Sequence, residues 1–560
     1  MTTEPKKLSK NEILKENSPT LAGTIMETLA NPELDRFSND DIQFLKFHGI
    51  YQQDDRDLRK QGKKYMFMIR GRIPGGVMNP NLYKVYDDLA NEVGNLTLRV
   101  TTRQSFQFHG VVKSGLGPLM RRIHEALSDT LAACGDVNRN VMSPVTPTSS
   151  PLVPEVYKDA DRVSTELLPQ TKSYHQIWVD GVQLDLDEGK DFVDPLYGKT
   201  YLPRKFKAAF AIPPLNDTDI FTNCLGFIAV GDENGQLLGY NLVCGGGMGM
   251  AHNNVKTYPR VGDVIGYFPR EKIIDISKAV LTVHRDFGDR SDRKHARLKY
   301  VIAERGVEWF RGEVETRAGI KFEKAKDFNF DSQNDMYGWH EQFDGKHFLG
   351  LHILAGRVKD TDQIKMKSAI RKVVDEYNVY VLLTPSQNIL IPDIQAADKE
   401  AITKIFNDHG VELENQGSKL SRTAMACPAL PTCGLSLAES ERYLPELLAS
   451  IENLLDDLSI DLNELIIRMT GCPNGCARPY MAELGFVGRG PKKYNIYVGG
   501  NQSSTRLGRL FMDGLKVDTL REDLTPIFTR YKNEKNDGER FGDFCARVVF
   551  PELDKEQAKP

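Results

Sequence analysis

The chain has 560 residues, 40% hydrophobic and 27% charged, with a formal net charge of −4 and eight cysteines. That length holds about three or four domains, and the near-neutral charge excludes a globally basic nucleic-acid or anionic-membrane binder. The cysteines are too sparse for a disulfide-stapled secreted protein, no apolar run reaches the ~18 residues of a membrane span, and the hydrophilic start MTTEPKKLSK has no signal-peptide core; a cytoplasmic location with no membrane and no nucleic-acid partner is expected.

Residues 1–62 are polar and charged, with a short helical pattern near Leu21–Leu29, and read as an N-terminal arm. From Lys64 a pattern begins that returns later. The run YMFMIRGRIPGG (65–76), a helical stretch and LRVTTRQSFQFHG (98–110) are echoed by HFLGLHILAGRV (347–358), a helical stretch and YVLLTPSQNILIPDI (380–394). Each copy has an apolar strand, an Arg–Gly pair, a helix, and a strand carrying Thr-x-x-Gln, which is an α+β unit. Further on, LGFIAV…GYNLVCGGG (225–247) is echoed by LGFVGRG…KYNIYVGG (484–500). Four segments repeated in one order indicate an internally duplicated chain.

The copies differ in chemistry. Ahead of the Leu-Gly-Phe strand, the first carries YLPRKFKAAFAIP (201–213), with Arg204, Lys205 and Lys207; the second carries IIRMTGCPNGCARP (466–479). Lys205-x-Lys207 on a strand points both ammonium groups to one face. With ACPALPTC (426–433), the cysteine segments supply Cys427, Cys433, Cys472 and Cys476 in C-x5-C and C-x3-C spacings. Structural zinc prefers shorter knuckles, whereas an iron–sulfur cluster draws its thiolates from longer loops. The spacing favours the cluster and leaves zinc or no metal as alternatives. Cys134, Cys224, Cys244 and Cys545 read as small buried hydrophobes.

The paired CPALPTC and TGCPNGCARPY motifs resemble those of the sulfite and nitrite reductase haemoproteins. So do TTRQSFQFHG, DVNRNV, YLPRKFK and GGGMG, in the family's order, from about Lys46 to the C-terminus. The resemblance implies a pseudo-twofold fold with three mixed α/β domains around a sirohaem and a 4Fe–4S cluster. Cys427, Cys433, Cys472 and Cys476 would ligate the cluster, with Cys476 bridging to the haem iron. Arg70, Arg139, Lys205 and Lys207 would surround the substrate. Arg99, Arg103 and Arg204 would pair with haem carboxylates, assisted by Thr101, Gln107, His109 and Asn474. The implied domains are 63–132 with 340–413 (the duplicated ferredoxin-like frame), 133–339 (sirohaem and substrate) and 414–560 (cluster).

The implied reaction is six-electron reduction of sulfite to sulfide in sulfate assimilation. Nitrite is the rival substrate, and the Lys-x-Lys pair favours the sulfite dianion. A different class, a non-catalytic metal-binding or electron-transfer scaffold, would have lost the Arg and Lys set. No G-x-G-x-x-G fingerprint is present, so electrons come from a partner. PGGVMNP and LPQTKSYHQIWVDG resemble the bacterial branch fed by an NADPH-oxidising flavoprotein; GCARPYMAELGFVG and DMYGWHEQFDG resemble the branch fed by ferredoxin. The flavoprotein is the favoured donor.

Overall fold

The computed structural model describes residues 7–18, 20–170, 178–179, 182–183, 193–462 and 464–557. Most of LPQTKSYHQIWVDG lies outside the described residues.

The two α+β units form one central body. Strand Tyr65–Arg70 pairs antiparallel with Phe106–Val111, which pairs with Leu98–Val100. In the second copy His347–Leu351 pairs with Ile389–Ile394, which pairs with Val381–Leu383. A helix connects the strands in each copy, Pro80–Glu92 and Met366–Tyr377. The first starts where it does because the Asn79 side chain accepts from Leu82 N at 2.8 Å and Pro80 sets the first helical φ. Its Leu82, Tyr83, Tyr86 and Leu89 face the core.

The copies then trade strands. Val77–Met78 joins the second sheet beside Val381–Leu383, and Arg357–Val358 joins the first beside Leu98–Val100. One apolar core results, holding Phe67, Ile69 and Phe106 together with Leu349, Leu351 and Ile389.

The repeated Thr-x-x-Gln glutamines lock this exchange. Gln104 and Gln387 both stand in the left-handed region, at φ 51° and 75°. The Gln104 amide donates to the carbonyls of Gly75 (2.9 Å), Ser143 (2.8 Å) and, across the duplication, Leu383 (3.0 Å). Gln387 reaches back to the Val100 carbonyl at 3.4 Å. Gln104→Ala is expected to destabilise the protein by about 3 kcal/mol, because it orphans buried carbonyls and the Ser143 N–H at a cost of roughly 1–3 kcal/mol per group. Denaturant unfolding measures this; a loss below about 1 kcal/mol would mean that water replaces the amide.

The second pair of units has a mixed sheet each. Ala208–Ala211 runs parallel to Leu225–Gly231, which continues antiparallel into Leu237–Cys244 and Asp263–Pro269. Likewise Ile467–Thr470 runs parallel to Leu484–Gly490, followed antiparallel by Lys493–Val498 and Arg509–Lys516. Met425–Ala426 is added parallel at the far edge of this sheet.

The N-terminal arm is woven into both sides. Ile50–Asp54 is an edge strand on Tyr65–Arg70; Phe37 and Leu45 enter the central core, and Leu21, Phe44 and Phe47 enter the neighbouring one. Helix Lys10–Asn17 buries a charged pair, with Lys15 Nζ 2.6 Å from Glu12 Oε1 and 2.8 Å from the Leu202 carbonyl. Buried ion pairs leave no apolar stripe, which is why the segment reads as solvated from its sequence.

Candidate functional site

Both cysteine loops leave neighbouring parallel strands, since Met425 pairs with Arg468 and Ala426 with Met469. Cys427 N donates to the Met469 carbonyl (3.3 Å), and Gly471 N approaches Cys427 Sγ at 3.4 Å. The loops touch at Gly471, where a Cβ would lie 2.1 Å from Ser436 Oγ and 2.5 Å from the Ala438 carbonyl; no larger residue fits without moving backbone. The four sulfurs feel one another. Burial and then the charge of Cys476, Cys472 and Cys433 push the Cys427 thiol far up; burial and Cys476 push Cys472 up to about 11 and also raise Cys433. Cys427, Cys433 and Cys472 thus resist ionisation in the protein alone, the setting in which a bound metal would favour their thiolates.

A carboxylate anchors the first loop to the central frame. Glu441 N donates to the Cys427 carbonyl, and its side chain receives Arg99 Nε (2.8 Å) and Arg357 Nε (2.7 Å) and Nη2 (3.0 Å). Arg99 and Arg357 are register partners contributed by the two copies. Burial raises the Glu441 pKa, but the two guanidinium groups outweigh it and hold it at about 2. A depressed acid contributes stability that is present above its ordinary value, 4.5, and lost as pH falls towards 2. Glu441→Gln is therefore expected to be less stable than wild type at pH 7, with the gap closing between pH 4.5 and 2. Denaturant titrations across that window measure it, and a gap independent of pH would refute the ionic origin.

Cations gather on the opposite side. Phe206 N donates to the Val137 carbonyl and Arg139 N to the Phe206 carbonyl, so the YLPRKFK segment lies alongside DVNRNV. The strand begins only at Ala208, so Lys205 and Lys207 stand just ahead of it and not on it; between them Phe206 makes a single bridge to Asn138, and its buried ring stacks on His284, which turns the two lysines the other way. Burial pushes both lysines far below the ordinary value. Arg139, Arg204 and Arg297 push Lys205 further down, and Arg103, Lys205 and Arg297 do the same to Lys207; the charge of Cys476 pulls each back up. Arg70 closes the group from the end of its strand, with Nη1 3.2 Å from Cys134 Sγ. Arg139 bonds the Gly135 carbonyl and Tyr51.

Two family descriptions match the chain: a nitrite and sulphite reductase 4Fe–4S domain over residues 159–322 and 417–559, and a nitrite/sulfite reductase ferredoxin-like half domain over 59–126 and 340–409. The chain belongs to the nitrite and sulphite reductase family. Its relatives include proteins named sulfite reductase (NADPH) hemoprotein beta-component. That of Staphylococcus saprophyticus is 45% identical over 98% of this chain and 96% of its own, and that of Myxococcus xanthus is 44% identical over 98% of each. The fold is that of the Mycobacterium tuberculosis NirA protein, with a TM-score of 0.78 over 97% of each chain at 23% identity.

Several of the residues expected at haem carboxylates already have partners within the protein. The Arg99 guanidinium is committed to Glu441 and the Ala426 carbonyl (2.7 Å). The Asn474 amide donates to Cys472 Sγ at 3.4 Å. Thr101 Oγ1 accepts from Arg103 N and Ser105 N, so it shapes the turn that presents Arg103. Gln107, with its amide oxygen turned to Arg70, accepts from Arg70 Nη2 (2.5 Å) and Nε (3.1 Å). Burial, Arg357 and Arg99 keep His109 neutral, and its Nδ1 has no hydrogen-bond partner among the described residues. Arg103 bonds Asn223 and the carbonyls of Asn140 and Ala208, leaving Nε unpaired among the described residues. Burial and Arg293 lower Arg204 to about 10.

Sequence reading missed Tyr51, Cys134, Cys224 and Arg297. Cys134 and Cys224 are more than small hydrophobes: Cys134 accepts from Arg70, and Cys224 from Arg297 Nη2 at 3.4 Å. Arg297 is buried, acts on both lysines, and keeps Nε unpaired among the described residues. Nothing in the run DRKHARLKY separates it from its basic neighbours; only tertiary contact does.

Proposed function

We propose that this chain is the haemoprotein component of a sulfite reductase, converting sulfite to sulfide at a sirohaem whose iron shares the Cys476 thiolate with a 4Fe–4S cluster. One observation carries the reading: two adjacent residues tie the Cys476 loop to the lysine segment, Thr102 Oγ1 donating to the Cys476 carbonyl (2.9 Å) and Arg103 Nη2 to the carbonyl of Ala208, next to Lys207 (2.9 Å). Thiols and an anion-binding wall thus meet in one space, supporting electron delivery and substrate binding side by side. The unpaired donors at Arg103 Nε, Arg297 Nε and His109 Nδ1 fit a ring rich in carboxylates.

The residues would divide the work as follows. Cys427, Cys433, Cys472 and Cys476 would hold the cluster, and Arg103, Arg204 and His109 the carboxylates. Bound together, the two groups would supply electrons one at a time. Six electrons and seven protons convert one sulfite dianion to hydrosulfide and three waters. Arg70 and Arg139 would hold the dianion as permanent cations. Lys205 and Lys207, desolvated and crowded by positive charge, are acidic enough to give protons to departing oxygen. The Lys-x-Lys pair supports sulfite over nitrite as the main substrate.

An NADPH-oxidising flavoprotein is the donor we favour over ferredoxin, because the bacterial relatives are named as components of an NADPH-dependent sulfite reductase. Among the described residues no helix is long and apolar enough to cross a membrane; a cytoplasmic site is part of this proposal. So is the division into 63–132 with 340–413, 133–339 and 414–560.

The deciding experiment is the visible spectrum, acid-labile sulfide content and viologen-driven sulfite reduction of the purified protein. Sirohaem bands, about four sulfides per chain and sulfide product are expected; a colourless zinc protein would sink the reading. Comparing NADPH plus flavoprotein with reduced ferredoxin as donor tests the partner.

A further inference from the structure

Asp219 and Arg478 occupy the same place in the two copies. Each follows its parallel strand, Ala208–Ala211 or Ile467–Thr470, by the same number of residues. Each is left-handed, at φ 46° and 54°, and each opens a short 3-10 turn, Ile220–Thr222 or Pro479–Met481, that leads into the Leu-Gly-Phe strand. The duplication sets these two corners against each other, and the sequence places a carboxylate on one and a guanidinium on the other. Arg478 Nε bonds Asp219 Oδ2 directly. Arg468, from the strand that leads to the cysteine loop, adds Nη1 at 2.7 Å and Nη2 at 3.2 Å.

We infer that the Arg468–Asp219–Arg478 triad fixes the position of Cys476 and sets the charge felt by the cluster. The inference rests on the reading above that Cys476 is a cluster ligand.

Position follows from the bonds. Arg478 Nη1 donates to the Thr102 carbonyl at 2.8 Å, and Thr102 Oγ1 donates to the Cys476 carbonyl at 2.9 Å. Arg478 Nη2 reaches the Pro385 carbonyl at 3.2 Å, and Arg478 N bonds the Gly475 carbonyl at 3.0 Å. The cysteine backbone is thereby stapled to the loops of both central copies. Asp219 is the counter-ion that aims the staple, so Asp219 and Arg468 are positioning residues.

Charge follows from the count. Two guanidinium groups share one carboxylate, with Asp219 at 0% exposure and Arg468 at 1%. The other partners of Arg468, Gln333 and the Arg478 carbonyl, are neutral, and Arg468 Nε is unpaired among the described residues. Asp217 does not cancel the excess: burial, then the charge of Asp335, raise it to about 8 and keep it protonated. One buried positive charge remains close to the loop that holds Cys472 and Cys476. In a low-dielectric interior it favours the more negative, reduced state of a thiolate-bound cluster.

The test uses loaded wild-type protein, Asp219→Asn and Arg478→Lys. Acid-labile sulfide and the visible spectrum are measured first; a wild type without a cluster would overturn the functional reading and this inference together. Given a loaded wild type, Asp219→Asn leaves one more positive charge unpaired, and the cluster potential is expected to shift positive. Arg478→Lys keeps the charge and loses the fork. It is expected to hold the potential, alter the electron paramagnetic resonance signature of the coupled centres, and lower kcat about tenfold at unchanged KM. A purely structural triad would lower cofactor loading or stability while the loaded fraction kept its potential and signature, and that outcome overturns the inference. Should Asp219→Asn fail to fold, Arg478→Lys decides: a wild-type signature and kcat refute it.

Discussion

Cys476→Ser is expected to lower sulfite reduction by about three orders of magnitude or more, roughly 4 kcal/mol of transition-state stabilisation. The substitution is nearly isosteric, and the backbone it sits on is held independently through Thr102 and Arg478, so folding should survive. What changes is the ligand atom. A hydroxyl is harder and far less acidic than a thiol, and iron–sulfur sites select thiolate. Cys427, Cys433 and Cys472 sit in separately anchored positions, with Cys427 and Cys472 each receiving a hydrogen bond at sulfur. Partial retention of a cluster is therefore expected alongside loss of its coupling to the haem. Acid-labile sulfide, the visible spectrum and viologen-driven turnover, read on one preparation, separate the two losses. A Ser variant that keeps both cofactors and wild-type turnover would remove Cys476 from the electron path.

The duplication was legible because its markers are local: strand alternation, a glycine-bearing turn, and a Thr-x-x-Gln whose glutamine must adopt a left-handed φ. The strand exchange was not. Val77–Met78 and Arg357–Val358 are two residues long, too short to carry any periodicity, and gain their partners only when both copies have folded. The same limit governs the site. Lys205 and Lys207 could be placed on one face because alternation along an extended chain dictates it. Arg99 and Asn474 were assigned to haem carboxylates on motif alone. The structure gives Arg99 to Glu441, more than three hundred residues away, and Asn474 to Cys472. Tyr51, Cys134 and Arg297 join the cation cluster from three distant segments, and no spacing rule links them.

Lys207→Met and Lys205→Met are each expected to reduce kcat for sulfite by about a hundredfold or more, the usual scale for loss of a positioned general acid. On the proposed reading an ammonium here has two jobs, attracting a dianion and releasing a proton, and the choice of replacement separates them. Lys207→Arg keeps a permanent charge that cannot be given up. It should hold KM near the wild-type value while kcat falls; Lys207→Met should damage both. The pH profile carries the sign. Burial and neighbouring cations lower both lysines, so protonated lysine, the proton-donating form, is lost as pH rises through those lowered values. Wild-type kcat should therefore decline on the alkaline side well before pH 10.5, the ordinary lysine value. If Lys207 is the donor, the Arg variant should lose that limb and run flat at its reduced rate. If Lys207→Arg and the matching Lys205→Arg both keep the wild-type limb, the protons come from elsewhere, and the two lysines serve only to hold the dianion.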